Sequence, residues 1–140
     1  MIVYDAENQI LGRMSSVIAK QLLKGEKIFV VNCEKVIIAG NPKYNQKKYF
    51  EKFKRGDTIH GPFFPKTPDA IFRRTVRGML PWDRDKGRNA YKNLKVFIGV
   101  PEELKNKKME KIKEADANRL KCKYTSLGEI SIVFGVKKRW

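Results

Sequence analysis

The sequence has few of the residues on which disulfide-rich, zinc-binding or membrane-spanning proteins depend. It contains two cysteines, Cys33 and Cys122, and a single histidine, His60. There is no CxxC pair, no Cys/His spacing suited to zinc, and no run that approaches about 18 apolar residues. The N-terminus, MIVYDAENQILGR, lacks the long apolar stretch of a signal peptide. We therefore expect a soluble protein of a reducing intracellular compartment, with no metal and no membrane partner.

Acidic residues are also scarce relative to basic ones. The 140 residues include 31 Lys and Arg but 15 Asp and Glu, which leaves a formal net charge of +16. Because so many like charges repel one another in a compact state, we expect a polyanionic partner. We favour nucleic-acid binding over the alternative that the protein is merely basic and has no such partner. The hydrophobic fraction of 41% is sufficient for one folded domain.

Motifs for catalysis or cofactor binding are missing as well. The chain has no G-x-G-x-x-G, no GKS/T phosphate loop and no clustered catalytic pair, so we predict no enzyme, no cofactor and no small-molecule substrate. Asp5 follows the first predicted strand, where α/β enzymes often keep an acid, but Asp-Ala-Glu-Asn also forms an ordinary turn. His60 lies in a Gly/Pro-punctuated loop, a place that fits a surface or RNA-stacking residue better than a general base.

Short apolar runs alternate with amphipathic helical segments, which predicts an α/β fold. Apolar residues at helical spacing predict a first helix over 11–24, and Asn41-Pro42 and Thr67-Pro68-Asp69 are start signals for two more. Strands are predicted at 2–4, 28–31, 36–38 and 94–99. The 32–35 link is too short for a helical crossover, so it is either a tight turn or a bent strand.

The last forty residues are highly charged and less regular. Residues 101–124 are predicted to wrap the domain as helical or extended surface structure. Ser126 and Glu129 have the spacing of a capping box, but the alternation in EISIVFG competes as a strand. We predict one domain over 1–140, with a core of about 1–100 and a C-terminal extension of about 101–140.

Residues 73–88, RRTVRGMLPWDRDKGR, contain the apolar segment GMLPW together with five arginines and a lysine. Wound as a helix over 69–80, the stretch separates into two faces. The core face comprises Ile71, Phe72, Val76, Met79 and Leu80, and the opposite face is an arginine ridge of Arg73, Arg74 and Arg77. After Pro81 ends the helix, Arg84, Lys86 and Arg88 are predicted to extend the ridge into a loop, where Asp83 and Asp85 either hold the arginines or interrupt their repulsion. Arginine favours bidentate phosphate contacts and base stacking, so we predict RNA binding here over a solvated charged face.

Three further basic groups are predicted to bind RNA. The largest group comes from the helix after Asn41 and the loop that follows it: Lys43, Tyr44, Lys47, Lys48, Lys52, Arg55 and Lys66. Tyr44 in this group could stack on an unpaired base. The second group is Arg13, Lys20 and Lys24, placed near the start of the first helix, and the third is the tail of Lys137, Lys138 and Arg139. Phe63 and Phe64 either pack in the core or form an exposed contact for another protein, and we favour the core. Trp140 is expected to pack on this protein, on RNA or on a neighbouring protein.

Two long segments resemble a known family. RRTVRGMLPWDRDKGRNAYKNLKVFIGVP at 73–101 resembles the hallmark segment of the L thirteen family of large-subunit ribosomal proteins. DAENQILGRMSSVIAKQLLKGEKIFVVNCEKVIIAGNP at 5–42 is similar to that family's opening. The chain has GVPEEL where the bacterial form has a His-rich ending, and its FFPKTPDAIFRRTVRGMLPWD stretch is similar to the archaeal or eukaryotic form.

The resemblance implies a single three-layer α/β/α domain with a small, mostly parallel sheet. It also implies a structural constituent of the large ribosomal subunit in the cytoplasm, which would bind large-subunit rRNA and neighbouring ribosomal proteins. A non-resident assembly factor or RNA chaperone needs the same basic faces and is the main alternative, followed by an RNA-modifying enzyme.

Overall fold

A small parallel sheet with helices packed on one face forms the centre of the protein. The structure, a computed structural model, describes residues 1–138 and 140. The helices are α1 (Leu11–Leu23), α2 (Pro42–Lys54), α3 (Pro68–Gly78), α4 (Asp85–Lys92) and α5 (Leu127–Val133). The strands are β1 (Ile2–Asp5), β2 (Ile28–Val31), β3 (Ile37–Ala39), β4 (Leu94–Val96), β5 (Met109–Glu110) and β6 (Tyr124–Ser126).

The main sheet has the order β4-β2-β1-β5, and every pair of neighbours in it is parallel. One face, which includes Tyr4, Ile28 and Val30, joins side chains of α1, α3 and α4 in the main hydrophobic core. The other face is covered by a thinner layer, in which Leu104 of a one-turn 3-10 helix packs on Val3 and Val31. The predicted α/β domain with a mostly parallel sheet is confirmed.

The 32–35 link sends the chain out of the main sheet. Asn32 adopts a left-handed backbone with φ of 55°, and Cys33–Lys35 form one turn of 3-10 helix. The next strand, β3, then pairs antiparallel with β6 from the far end of the chain. Of the two predicted alternatives, the tight turn describes residues 32–35 better than the bent strand does. Neither alternative predicted that the chain leaves the main sheet at this point.

The C-terminal residues contribute to the core. The capping box is confirmed, because Ser126 Oγ accepts from the Glu129 amide at 3.2 Å and the Ser126 amide donates to Glu129 Oε2 at 3.1 Å. The helix alternative for α5 is therefore right and the strand alternative wrong. Leu127 and Ile130 of α5 join the same core cluster as the helices on the main sheet, as does Ile112 from the irregular 101–124 segment.

Two predictions around the arginine stretch are wrong. Residues 85–92 form α4 rather than a loop, because Gly87 lets the first turn of that helix pack directly on the Pro81 carbonyl. Met79 is 41% exposed and does not belong to the core face, whereas Leu80, which also lies beyond the end of α3, is buried as predicted. Phe72, Ile71 and Val76 are buried as predicted.

Candidate nucleic-acid interface

The basic side chains of α2 and α3 line one cleft. This cleft, of about 560 Å³, is lined by Lys52 and Arg55 from the α2 side, Arg74 from α3, and Phe63 from the intervening loop. The pKa of Lys52 is lowered, first by partial burial and then by the positive charges of Lys48, Arg55 and Arg74. Two surfaces that the sequence placed on separate helices are thus a single cationic surface.

Several lysines of this surface lie over aromatic rings of the protein. The Lys52 Nζ is 5.3 Å from the centre of the Tyr49 ring, Lys54 Nζ is 4.6 Å from that of Phe50, and Lys66 Nζ is 4.2 Å from that of Phe53. Such cation–π contacts contribute modestly to stability at exposed sites, about 0.5–1 kcal/mol. Their main effect here is to orient the charged ends, which stay accessible to solvent.

The arginine ridge is stabilised by two aromatic rings. The Arg77 guanidinium carbon is 4.2 Å from the centre of the Trp82 ring, and that of Arg73 is 5.2 Å from the centre of the Tyr91 ring. Trp82 and Tyr91 contact each other edge to face, with ring centres 5.3 Å apart. The helix α4, which carries Tyr91, therefore positions arginines of α3. Arg74 borders the ridge and also lines the cleft between α2 and α3.

Arg88 has a structural role in the turn between α3 and α4. Its Nε donates to the Trp82 carbonyl at 3.0 Å and its Nη2 to the Asp83 carbonyl at 3.2 Å. Its Nη1 is 3.8 Å from the carboxylate of Asp85, an exposed pair of little energetic weight. Of the two acids expected to hold arginines, Asp85 does so through its carboxylate and Asp83 through its backbone.

The cations of this surface are largely uncompensated. Three Lys or Arg side chains lie within 4.0 Å of a carboxylate in the described part of the chain, and one of them, Arg88, is a predicted RNA-binding residue. The exposed members of the predicted set are Lys43, Tyr44, Lys47, Lys48, Lys52, Arg55, Lys66, Arg73, Arg74, Arg84, Lys86 and Arg88, and Arg77 is half-buried. A surface of this kind attracts polyanions and repels other cations.

The other predicted groups lie apart from the cleft. Arg13, Lys20 and Lys24 are all exposed, but Lys20 lies in the last turn of α1 and Lys24 is its C-cap. Their predicted place near the start of the helix is therefore wrong, and an anion preference from the helix N-terminus applies to Arg13 alone. Lys137 and Lys138 are exposed beyond α5, and Arg139 lies outside the described residues.

Trp140 lies against the protein itself. Its indole ring is beside Gly128 at the start of α5, so close that a Cβ on that glycine would be 3.2 Å from a ring carbon. The side chain also lines a shallow cleft with Glu34 and Ile37. Of the three docking partners left open for Trp140, the structure supports this protein.

The carboxyl end of the parallel sheet, where open α/β folds hold their ligands, is occupied by structural contacts. Asp5 accepts from Asn32 Nδ2 at 2.9 Å and from the Glu7 amide at 3.1 Å, and it is 3.4 Å from Lys111 Nζ. Burial alone would raise the pKa of Asp5, but these hydrogen bonds and the Lys111 charge lower it. Glu34 accepts from the Gly99 amide at 3.0 Å. The turn interpretation of the Asp5 segment is supported.

Two features are absent from residues 1–138 and 140. They contain no group of three or more His, Cys, Asp and Glu side chains that could hold a metal ion. They also contain no helix that is both long and apolar enough to cross a membrane.

The two loop phenylalanines have different environments. Phe64 is half-buried and packs edge to face on Tyr49 with ring centres 6.1 Å apart, whereas Phe63 is 75% exposed. The core prediction is right for Phe64 and wrong for Phe63. Neighbouring identical residues in a loop have no periodicity that could separate them, so the sequence left the buried and exposed alternatives open for the pair and could not assign Phe63 alone to the surface.

Fold and surface together define a small, basic α/β protein whose cations face outward around an aromatic-lined cleft. The model of the family described as Ribosomal protein L13 matches residues 1–103. The chain is 50% identical over 137 residues to large ribosomal subunit protein uL13 of Archaeoglobus fulgidus, covering 96% of this chain and 88% of the relative. It is also 50% identical over 139 residues to that of Methanosarcina barkeri, covering 98% and 99%, and 49% identical over 136 residues to that of Methanopyrus kandleri, covering 95% and 86%. The chain therefore belongs to the ribosomal protein L13 family, and the archaeal-like resemblance read from the sequence is confirmed.

Proposed function

We propose that this protein is a structural constituent of the large ribosomal subunit, and that it binds large-subunit rRNA through the cationic surface of α2, α3 and α4. The observation that carries the proposal is the convergence of Lys52, Arg55 and Arg74 on one cleft, with no carboxylate among the described residues that line it. Family membership supports the identity of the RNA, since the relatives named above are large-subunit proteins.

The proposed mechanism is clamping of folded RNA by phosphate contacts. Such contacts fix position and affinity without reading base sequence, and recognition of a folded RNA by shape follows from their spacing. In this role the protein acts without catalysis, cofactor or small-molecule substrate, works in the cytoplasm on the ribosome, and contacts neighbouring large-subunit proteins.

The test is the salt dependence of binding to purified large-subunit rRNA. Arg74→Ala should weaken binding at low salt and lower the slope of log affinity against log salt by about one, because one phosphate contact is lost. Arg119→Ala is the matched control, since Arg119 is an exposed arginine outside the predicted surfaces. Equal affinity of the wild-type protein at low and high salt would contradict the phosphate clamp.

Sedimentation separates a resident protein from an assembly factor or RNA chaperone. A resident protein should remain with large subunits and translating ribosomes in stoichiometric amount. Detection in precursor particles alone would overturn residency while leaving RNA binding intact.

A further inference from the structure

Phe63 has an unusual position for an exposed aromatic side chain. It is 75% exposed and forms part of the wall of three adjoining clefts. The first is the α2–α3 cleft described above. The second is bounded by Phe53, Lys54 and Lys66, and the third by the ridge arginines and Tyr91. Phe63 therefore lies at the centre of the cationic surface rather than at its edge.

Cations are present in all three of these clefts. Lys52, Arg55 and Arg74 line the first. Lys54 and Lys66 line the second together with Arg55, and Arg73 and Arg77 line the third together with Arg74. Among the described residues that line the three clefts, Asp57 is the one acid, and it is paired with His60 at 3.3 Å. An apolar protein partner gains nothing from this number of positive charges, whereas a nucleotide supplies both a flat ring and a phosphate.

Two of the arginines around Phe63 are available for a ligand. Five of the seven cations around Phe63 lie over rings of the protein, but within residues 1–138 and 140 Arg55 and Arg74 make neither a cation–π contact nor a salt bridge. Both line the α2–α3 cleft beside Phe63. Arginine in this state is suited to a bidentate phosphate contact.

The loop that carries Phe63 is closed by its own backbone. The Asp57 amide donates to the Gly61 carbonyl at 3.2 Å, and the Gly61 amide donates to the Asp57 carbonyl at 3.0 Å. Phe64 then anchors the loop to Tyr49. Because the loop is tied at both points, little ordering is required when Phe63 meets a ligand.

We propose that Phe63 stacks on an unpaired RNA base while Arg55 and Arg74 bind the phosphates that flank it. The inference rests on the proposed function and deepens it, because it adds recognition of a single-stranded nucleotide at Phe63 to the phosphate contacts proposed for this surface. Ring stacking is indifferent to base identity, so this site distinguishes unpaired from paired RNA rather than one sequence from another.

The experiment uses the full chain and a single-stranded oligo(U) decamer with one internal 2-aminopurine, whose fluorescence is quenched by stacking. The wild-type protein should quench the probe, and Phe63→Ala should lower affinity for it about 5- to 150-fold, the range expected for loss of one base–aromatic stack. Phe63→Trp should retain both affinity and quenching. Phe63→Leu, which keeps an apolar side chain but removes the flat ring, should behave like the alanine variant.

Two matched controls isolate stacking. Ile59→Ala removes another exposed apolar side chain of the same loop, 77% exposed and outside the three clefts, and should leave probe affinity unchanged. An abasic decamer keeps the phosphates and should bind wild type and Phe63→Ala equally. Thermal melts of each variant should coincide with wild type, since Phe63 is mostly exposed.

Three outcomes would overturn the stacking inference. The first is wild-type affinity and quenching in Phe63→Ala or Phe63→Leu. If Arg74→Ala weakened binding in that case, the proposed function would stand and the stacking inference alone would fail. The second is unchanged RNA binding by Phe63→Ala together with poorer co-sedimentation with large subunits, which would make Phe63 a protein contact. The third is absence of binding to both the decamer and large-subunit rRNA at low salt, which would remove the proposed function as well.

Discussion

Gly87→Ala adds one methyl group to the first turn of α4, directly against the turn that follows α3. A Cβ at this position would overlap the Pro81 carbonyl oxygen and lie 2.6 Å from the carbonyl carbon. Non-bonded carbons prefer about 3.5 Å or more, so α4 or the Pro81 turn must move by roughly 1 Å. Overpacking of this kind costs ~1–3 kcal/mol, and the higher helix propensity of alanine returns at most about 1 kcal/mol. Because the overlap is with backbone atoms, which cannot rotate away, the cost lies in the upper part of that range, and we expect a net loss of about 1–2 kcal/mol in the free energy of unfolding.

Gly78→Ala is the matched control, because it adds the same methyl group to the end of α3. An added Cβ there has no atom within 4 Å, so this variant should be more stable by ~0.5–1 kcal/mol. Urea unfolding followed by circular dichroism measures both changes. RNA binding should fall in Gly87→Ala, since α4 positions the ridge arginines through Tyr91. If Gly87→Ala proved as stable as the wild-type protein, the packing of α4 on Pro81 would be refuted.

Four other predictions concern the domain and its ionisable groups. Ser126→Ala should cost about 0.5–2 kcal/mol in urea unfolding, because the α5 capping box is lost. In the native protein, Ellman's reagent should react quickly with the exposed Cys122 but not with Cys33, since burial raises the pKa of the Cys33 thiol. The pKa of Asp5 is lowered on folding, so its stabilising effect should be complete above its ordinary value of 3.8 and lost as pH falls below it. Residues 1–140 should unfold as one domain, with equal calorimetric and van't Hoff enthalpies.

Each of these predictions has an outcome that would contradict it. Unchanged stability of Ser126→Ala would mean that the capping box contributes nothing, and fast reaction of two thiols would mean that Cys33 is accessible. Asp5→Asn should reduce the loss of unfolding free energy as the pH is lowered. If that loss is the same in the variant, other carboxyl groups are responsible for it. Two separate calorimetric transitions would divide the core from the C-terminal extension.

The helices α1, α2 and α3 were predictable because their signals are local. Apolar residues three and four apart define a buried face whatever the rest of the chain does, and Asn41 caps α2 by accepting from the Lys43 amide at 3.0 Å. The capping box of α5 is equally local, and it outweighed the strand alternation of EISIVFG. The net charge and the two faces of 69–80 belong to this group of predictions as well.

The helix α4 and the partner of β3 were not predictable from neighbouring residues. A short, charged segment containing Gly87 has weak helix propensity, and it forms a helix because that glycine fits the Pro81 carbonyl. β3 pairs with β6, about 90 residues further along the chain, and no local pattern specifies such a partner. Long-range pairings of this kind depend on how the whole core closes.

The features of the candidate interface also divide into local ones, which the sequence predicts, and long-range ones, which it does not. Which residues are basic, and that Arg73, Arg74 and Arg77 share a helix face, follow from the order of residues, because helix geometry is a local periodic constraint. The union of that ridge with α2, the hydrogen bonds of Arg88 to the turn before α4, and the exposure of Phe63 beside a half-buried Phe64 depend on how the elements pack against one another. Side-chain neighbours across elements are set when the core excludes water, and only the tertiary structure contains that information.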